Sequence, residues 1–266
     1  MRAALWQQLE TDRLFGLTSV PMTMPVRSAP VPLDRRARVS ETGPRVSTPA
    51  SASPPRVTST RSSDSASSEQ RLRLLNDSQV KNCRKCDLCA TRTQTVFGQG
   101  NAAPRLVFVG EAPGYDEDKQ GLAFVGLAGQ LLTKMIEAGM GLKRADVFIC
   151  NVLKCRPPNN RPPNPDEILA CNPYLREQLE ILNPEVIVAL GAPAAKTLLH
   201  TTESIGRLRG RWHDYYLSGA TGDGPCVPCM PTYHPSYLLR TPEDKGKTWA
   251  DLQMVMAKLE LPIPSR

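Results

Sequence analysis

The sequence is poor in aromatic side chains and in histidine, and it has no long hydrophobic run. Phe, Trp and Tyr make up 5% of the 266 residues, and there are three histidines. No apolar run reaches the roughly 18 residues that a membrane-spanning helix needs, so we expect no membrane association. The first residues also lack the basic start, apolar core and small-residue cleavage site of a secretion signal, and we expect a cytoplasmic protein.

Positive charge and cysteine, by contrast, are abundant. The net charge of +7 suits a polyanionic partner, although charge alone identifies no function. In a chain without an export signal, we expect cysteines to be metal ligands or buried thiols rather than disulfides. The eight cysteines are Cys83, Cys86, Cys89, Cys150, Cys155, Cys171, Cys226 and Cys229.

The composition divides the chain into three parts. Residues 1–17 contain an apolar stripe that predicts a helix, which either packs on the main domain or docks a partner protein. Residues 18–67 are rich in Pro, Ser, Thr and Arg and have no aromatic side chain, so they cannot bury enough apolar area to offset their ordering entropy. We expect a disordered, basic linker there, and a folded domain over residues 68–266.

Within the third part, short apolar segments alternate with amphipathic ones. The strands are predicted at 106–109, 147–153, 186–190 and 227–232. The helices are predicted at 70–81, 126–140, 166–182 with an interruption at Pro173, 192–199 and 241–259. This alternation predicts an α/β domain with three layers, in which helices cover both faces of a central, four-stranded, mostly parallel sheet.

Polar and glycine-rich residues follow these strands at their carboxyl ends. The loop Gly110-Glu111-Ala112-Pro113-Gly114 ends the first strand, and its glycines and proline fix a tight backbone with exposed N–H groups. Asn151 lies near the end of the second strand, and His234 follows the fourth. Because ligands of open α/β sheets bind outside the carboxyl ends of the strands, we expect these residues to share one site.

The segment after His234 combines apolar side chains with a cation. Leu238 and Leu239 precede Arg240, and a rigid proline follows the histidine directly. Apolar wedges beside a cation are what proteins use to enter a base stack and to hold a phosphate. The pattern therefore favours contact with a nucleic acid.

The cysteine spacing predicts a metal centre. Cys83-x2-Cys86 is a two-ligand clip, and Cys155 with Cys171 is the favoured second pair, in competition with Cys150 and with Cys226-x2-Cys229. Four thiolates fit either a structural zinc ion or a [4Fe–4S] cluster, and spacing alone does not choose between them.

Together, these motifs resemble those of the family 4 uracil-DNA glycosylases, the iron–sulfur branch of that superfamily. The resemblance implies an enzyme that flips uracil out of DNA and hydrolyses its N-glycosidic bond, leaving an abasic site. It also implies a [4Fe–4S] cluster rather than zinc, on Cys83, Cys86, Cys155 and Cys171. The matching stretches are Gly110–Gly114, Phe124–Gly129, Asn151–Pro158 and His234–Arg240.

The resemblance also implies a role for individual residues. Phe124 would stack on the uracil, Asn151 would read its hydrogen-bonding edge, and His234 would bind O2, where negative charge develops. Leu238 would be the wedge into the base stack and Arg240 a backbone contact. The rim of the base pocket would be formed by Gly110, Ala112, Pro113 and Gly114.

The group that positions the attacking water is left open by the sequence. Family 1 enzymes carry an aspartate for this role where this chain has Ala112, and a tyrosine that excludes thymine where it has Gly114. Glu111 is the leading candidate, and Glu117 is the weaker one.

Two other functions fit the sequence less well. Some relatives bind uracil-DNA and trap it covalently through a histidine in an inserted basic loop, but residues 156–162 of this chain contain no histidine. An iron–sulfur electron carrier would leave Phe124, Asn151 and His234 without a purpose. We therefore expect a monomeric glycosylase acting on uracil-containing DNA, with residues 1–17 available to a replication or repair partner.

Overall fold

The computed structural model describes residues 61–217 and 224–263. The helix predicted over residues 1–17 and the linker predicted as far as residue 60 lie outside this part of the chain. No helix in the described ranges is long and apolar enough to cross a membrane.

A single sheet of six strands forms the centre of the domain, in the order β1-β3-β2-β4-β6-β5. The four central strands are parallel, and both edge strands, β1 and β5, pair in the antiparallel direction. The strands are β1 Gln99–Gly100, β2 Leu106–Gly110, β3 Phe148–Asn151, β4 Val186–Leu190, β5 His213–Tyr216 and β6 Cys226–Thr232.

Helices cover both faces of this sheet. Asn76–Val80 and Met135–Gly139 extend the first and third helices by a wider turn. The helices are α1 Arg61–Leu75, α2 Tyr115–Gln120, α3 Leu127–Lys134, α4 Pro165–Leu182, α5 Ala192–Leu199, α6 Ile205–Leu208, α7 Pro235–Arg240 and α8 Lys245–Lys258.

Alternate residues of each central strand enter two separate hydrophobic cores. In β2, Val107 and Val109 pack with α1, α4 and α5, whereas Leu106 and Phe108 pack with α3, α7 and α8. Successive side chains of a strand point to opposite faces, so a strand apolar throughout must be covered on both sides. The predicted three-layer α/β class is confirmed.

The predicted number of strands was too low. The four predicted strands are the central parallel ones, but two edge strands were missed. Strand β1 has two residues, which is too short for a periodic pattern, and β5 carries the polar sequence His213-Asp214-Tyr215-Tyr216. A strand at an edge has one exposed side, so its sequence lacks the continuous apolar run of a central strand.

Two helix predictions also need correction. Helix α1 begins at Arg61, so the last residues of the predicted linker, 61–67, are helical. The reason is that Leu72 and Leu75 pack on the core and anchor the helix, after which each residue added to it gains a hydrogen bond. Helix α4 continues through Pro173. The proline removes a bond to the carbonyl of Leu169, whose side chain is exposed, and water can satisfy that carbonyl.

The register of the sheet brings the carboxyl ends of the central strands level. Gly110 at the end of β2 pairs with Asn151 at the end of β3, and Leu190 in β4 pairs with Thr232 in β6. The four loops that follow these strands therefore meet at one edge, as expected for a ligand site in a parallel sheet.

Candidate active site

A cleft of about 680 Å³ opens at this edge. Each of the four central strands contributes to it, because the loops that follow them form its walls. The residues that line it include Glu111–Glu117, Phe124, Asn151, Gly191–Pro193, Tyr233, His234, Tyr237 and Arg240.

Asn151 presents an unpaired amide oxygen to the cleft. Its side chain is 2% exposed, and its Oδ1 atom has no hydrogen-bond partner among the described residues. A β-carbon on Gly110 would lie 2.4 Å from this oxygen and 2.5 Å from the ring of Phe124, so glycine is required where the two side chains approach. A buried, unpaired acceptor is costly unless a ligand satisfies it.

Phe124 also lines the cleft, in a backbone conformation that few non-glycine residues adopt. Its φ angle is 54°, and its ring centroid lies 5.6 Å from that of His234. Arg144 Nη2 donates to the Phe124 carbonyl oxygen at 3.0 Å, and Gly129 packs against the same peptide so closely that a β-carbon would lie 1.9 Å from that oxygen. Such strain persists where the surroundings determine it, and it is typical of functional sites.

Glu117 joins the two loops that carry these residues. Its Oε2 accepts from Gly114 N at 3.1 Å, and its Oε1 accepts from Val125 N and Gly126 N at 2.8 and 2.9 Å. With both oxygens occupied by backbone donors, Glu117 organises the cleft rather than holding a water. These contacts favour Glu111 over Glu117 as the group that positions the water.

His234 is held in one tautomer by the start of α7. Its Nδ1 accepts from Ser236 N at 3.1 Å, which leaves the proton on Nε2. Burial lowers the pKa of His234 to about 4, and the charge of Arg240 acts in the same direction. At neutral pH the ring is therefore uncharged and presents an N–H donor.

Glu111 lines the cleft beside Asn151. Burial raises the pKa of its carboxyl group above the ordinary value of 4.5. A carboxylate in such surroundings can accept a proton or orient water, and Glu111 thus suits the role that its place in the sequence suggests.

The four cysteines of the favoured set, Cys83, Cys86, Cys155 and Cys171, line one cavity on the face of the sheet covered by α4. In the described residues, no three His, Cys, Asp or Glu side chains are grouped so that they could hold a metal ion. Of the other cysteines, Cys150 and Cys229 are buried in sheet strands, Cys226 is exposed, and Cys89 lies outside this cavity.

Hydrogen-bond donors surround the sulfur atoms of this set. Cys155 Sγ accepts from Arg92 Nη1 at 3.1 Å, Cys171 Sγ accepts from Lys154 N at 3.2 Å, and Cys83 Sγ accepts from Tyr174 Oη at 3.3 Å. Burial raises the pKa of the Cys155 thiol to about 11, and Arg92 opposes that rise. Donors of this kind stabilise the thiolates of a metal–sulfur centre, so the chemistry of this donor set suits a cluster with four cysteine ligands, although the four side chains are not drawn together around one ion here.

Comparison with known proteins agrees with this geometry. Residues 97–253 match the family model of the uracil DNA glycosylase superfamily. The chain is 45% identical over 185 residues to a type-4 uracil-DNA glycosylase of Saccharolobus solfataricus, an alignment covering 68% of this chain and 83% of that protein. It is 51% identical over 162 residues to the type-4 uracil-DNA glycosylase of Thermotoga maritima, covering 60% and 80%.

The chain belongs to the type-4 family of the uracil DNA glycosylase superfamily. A type-5 uracil-DNA glycosylase of Pyrobaculum aerophilum is more distant, at 30% identity over 139 residues, which cover 52% of this chain and 56% of that protein. The family resemblance found in the sequence is thus confirmed.

The predicted wedge residue and its neighbour in α7 differ in exposure. Leu238 is fully buried and packs in the core under α7. The next residue, Leu239, is 46% exposed, and Arg240 beside it lies at the mouth of the cleft. The helical register of α7 sets this difference, because successive residues of a helix point about 100° apart.

Two parts of the cleft were missed by sequence analysis of this glycosylase. Gly191, directly after β4, has a φ angle of 88° and lies so near His234 that a β-carbon would be 3.0 Å from that side chain. Its place at the end of a central strand was the available signal. Tyr115 is 51% exposed at the cleft and has Lys119 and Arg156 over its ring, at 4.4 and 5.0 Å from the centroid.

Proposed function

We propose that this chain flips uracil out of DNA into the cleft and hydrolyses its N-glycosidic bond, leaving an abasic site. The observation that carries the proposal is the buried, unpaired amide oxygen of Asn151, in the same cleft as the ring of Phe124 and the Nε2–H of His234. A flat base with an N–H donor on one edge and a carbonyl acceptor on another would satisfy the Asn151 oxygen and the His234 N–H. The membership of the chain in the type-4 family gives the same function and enzyme class.

Recognition of uracil rests on Asn151. Its amide can donate to O4 and accept from N3–H, whereas cytosine presents the opposite pattern at these positions. A cytosine in the cleft would leave buried polar groups unpaired, which is how hydrogen-bonding sites reject analogues strongly. Phe124, fixed in its strained conformation, supplies a face on which the base stacks.

Bond cleavage rests on His234 and Glu111. As the glycosidic bond breaks, negative charge develops on uracil O2, and the Nε2–H of His234 is a preorganised donor for it. Glu111 orients the attacking water on the other side of the sugar and accepts its proton. Gly110, Ala112, Pro113 and Gly114 form the rim that shapes the base pocket.

Contact with DNA rests on the mouth of the cleft. Arg240 binds the backbone on one side, and Lys119 and Arg156 stand over Tyr115 on the other. Leu239, rather than the buried Leu238, is exposed where a wedge into the base stack is needed. Cations at these points would neutralise phosphates and release counterions.

A [4Fe–4S] cluster would be held by Cys83, Cys86, Cys155 and Cys171, where it supplies a covalent crosslink between distant segments. The support is the shared cavity, the N–H and O–H donors at three of the sulfurs, and the family. We also propose that the protein acts inside the cell, where uracil-containing DNA is found.

Covalent trapping is the second candidate function, and the cleft disfavours it. Apart from His234, the histidines of the sequence are His200 and His213, and neither lines the cleft. The loop at 156–161 that reaches the cleft supplies Pro157, Asn160 and Arg161 instead.

One incubation tests both candidates. The purified protein is mixed with an end-labelled duplex containing one uracil, and a matched duplex with cytosine is the control. Alkali-dependent breaks at the uracil alone are expected for a glycosylase. An adduct that survives denaturation would indicate trapping, and an intact strand would contradict both.

A further inference from the structure

Lys154 is a charged residue in the interior of the domain that base excision, as described above, does not use. Its side chain is 1% exposed, although lysine is almost never fully buried without a partner. Its ammonium donates to the carbonyl oxygen of Asn151 at 2.8 Å and to Oε1 of Gln178. Within residues 61–217 and 224–263 it forms no ion pair with a carboxylate.

Gln178 extends this contact to two further segments. It lies on α4, the helix that also carries Cys171, and it is fully buried. Its Nε2 donates to the carbonyl oxygen of Phe97 at 2.8 Å, while the backbone N–H of Lys154 donates to Cys171 Sγ at 3.2 Å. The two side chains thus join the end of β3, helix α4 and the segment before β1.

The contact between Lys154 and Gln178 bears on the orientation of the Asn151 side chain. Its amide oxygen has no partner of its own, so the side chain is aimed by packing and by its backbone alone. Val152 N donates to Gly110 O at 2.9 Å and fixes the peptide after Asn151 to the neighbouring strand. Lys154 fixes the Asn151 carbonyl from the opposite side, toward α4.

We propose that Lys154 is a positioning residue for base recognition: by holding the Asn151 carbonyl against α4, it sets the orientation of the amide that reads uracil. The inference rests on the proposed function and goes beyond it, since it assigns a role outside the cleft. It places the segment 151–155 under two constraints, with the base-reading amide at one end and a cysteine of the proposed cluster at the other.

The competing explanation is that Lys154 only offsets the negative charge of nearby thiolates. Cys155 is its neighbour in sequence and Cys171 accepts its backbone N–H, so a buried ammonium there would complement a negatively charged centre. The two explanations differ in what a substitution changes. Loss of charge balance lowers the cluster content, whereas loss of positioning lowers the affinity for the uracil base.

The test uses the full-length protein with Lys154→Met, which keeps the side-chain length and removes the donors. Gln178→Leu is the second variant, because it keeps the lysine and removes its link to α4. Lys196→Met, at an exposed position of α5, is the matched control. For each protein we would measure visible absorbance and iron per chain, single-turnover excision, DNA affinity, and inhibition by free uracil.

The expected result is that Lys154→Met keeps its cluster absorbance and its DNA affinity, while excision slows and free uracil inhibits more weakly. Removal of supporting residues around a site commonly costs about 10–100-fold. Gln178→Leu should change both quantities in the same direction, and Lys196→Met should match the parent. If Lys154→Met does not fold, the result for Gln178→Leu decides.

Two outcomes would overturn the inference. One is parental uracil inhibition in a variant that keeps its cluster. The other is a loss of excision that follows cluster content in proportion, which would assign Lys154 to charge balance. A parent protein that excises no uracil would instead contradict the proposed function, so the two failures are distinguishable.

Discussion

At the scale of single residues, His234 and Asn151 are fixed in different ways. The ring of His234 is oriented by Ser236, two residues along the chain, so its donor points into the cleft whether or not a base is present. The Asn151 amide has no such neighbour and depends on a glycine at position 110 for its space. In the proposed mechanism, His234 supplies a preorganised donor to the transition state, and Asn151 supplies selectivity.

His234→Ala is expected to slow single-turnover excision by roughly 10²–10³, the usual cost of one donor at a developing negative charge. DNA affinity should change little, because the charge appears only in the transition state. Rapid-quench excision and a binding titration would measure the two quantities. His200→Asn, which keeps a residue type suited to its left-handed backbone, is the control.

A His234→Ala protein that cleaves at the parental rate would show that this histidine has a structural role only.

Asn151→Asp provides the complementary comparison. An ionised aspartate cannot donate to O4 and repels the anionic leaving group, so uracil excision should fall below the level of detection on the same timescale.

Glu111 is expected to set the acid limb of the pH–rate profile. Burial raises its pKa above 4.5, so as the pH falls its carboxylate is lost earlier than that of an ordinary glutamate. His234, with a pKa of about 4, is still neutral over that range and does not contribute there. Single-turnover rates of Glu111→Gln should be low and should lack this limb.

The measurement is the same assay across a pH series, with thermal unfolding to show that the protein is folded at each point. If Glu111→Gln keeps both the parental rate and the acid limb, the water is positioned by another group.

At the scale of elements, the two loops on either side of α2 form one wall of the cleft. The loop after β2 carries Glu111, and the loop before α3 carries Phe124. Glu117 joins them through three backbone N–H groups, and Arg144 holds the second loop from below through the carbonyl oxygens of Ala123 and Phe124. The shape of the pocket therefore depends on Glu117 and Arg144, two charged side chains that take no part in the proposed reaction.

Glu117→Gln should lower both stability and excision. An amide keeps one acceptor oxygen and turns its NH2 group toward one of the backbone donors. This leaves a partly buried N–H unpaired, at a cost of up to about 1–3 kcal/mol. For a domain of this size, each kcal/mol of lost stability lowers the Tm by roughly 2–4 °C. Thermal unfolding and single-turnover excision would be compared with Glu203→Gln, an exposed carboxylate. Parental values for both in Glu117→Gln would contradict the bridging role.

Sequence patterns predicted the strands and helices that have a clear pattern of apolar residues, and they missed the features that depend on tertiary contacts. The four central strands were predicted because both their faces are buried, which gives continuous apolar runs such as Leu106–Val109. Gln99–Gly100 is a strand only because β3 lies beside it. Leu238 and Leu239 are chemically alike, and the register of α7 on the core decides which one is exposed. The bridge made by Glu117 joins positions eight and nine residues apart, and no local pattern marks it.

At the scale of the whole molecule, the cysteine set joins segments that are far apart in sequence. Cys83 and Cys86 precede β1, Cys155 follows β3, and Cys171 lies in α4. The proposed cluster would crosslink them and would fix α1 and its extension to the layer that carries Asn151. The free energy of such metal binding contributes directly to the folding stability of the segments that the metal joins.

Cys155→Ser is expected to give a colourless protein that unfolds at a lower temperature than the brown parent. The measurements are visible absorbance, iron content and thermal unfolding after anaerobic purification. Cys226→Ser, at an exposed position outside the cavity, should keep both the colour and the unfolding temperature. Stoichiometric zinc without iron in the parent would show that the cluster assignment is wrong.

Deletion of residues 1–60 should leave excision on short DNA largely intact. The cleft and the cysteine set lie between residues 83 and 240, and α1 retains Leu72 and Leu75 in the core and the bond from Ser68 Oγ to Ile181 O at 3.3 Å. The deleted part carries eight arginines and four acidic residues, more than half of the net charge of +7. DNA affinity should therefore fall mainly at low salt, and the slope of log affinity against log salt should become shallower. Binding titrations over a salt series and single-turnover excision would measure both effects. A truncated protein that keeps its cluster and its unfolding transition but excises no uracil would place an essential residue in this segment.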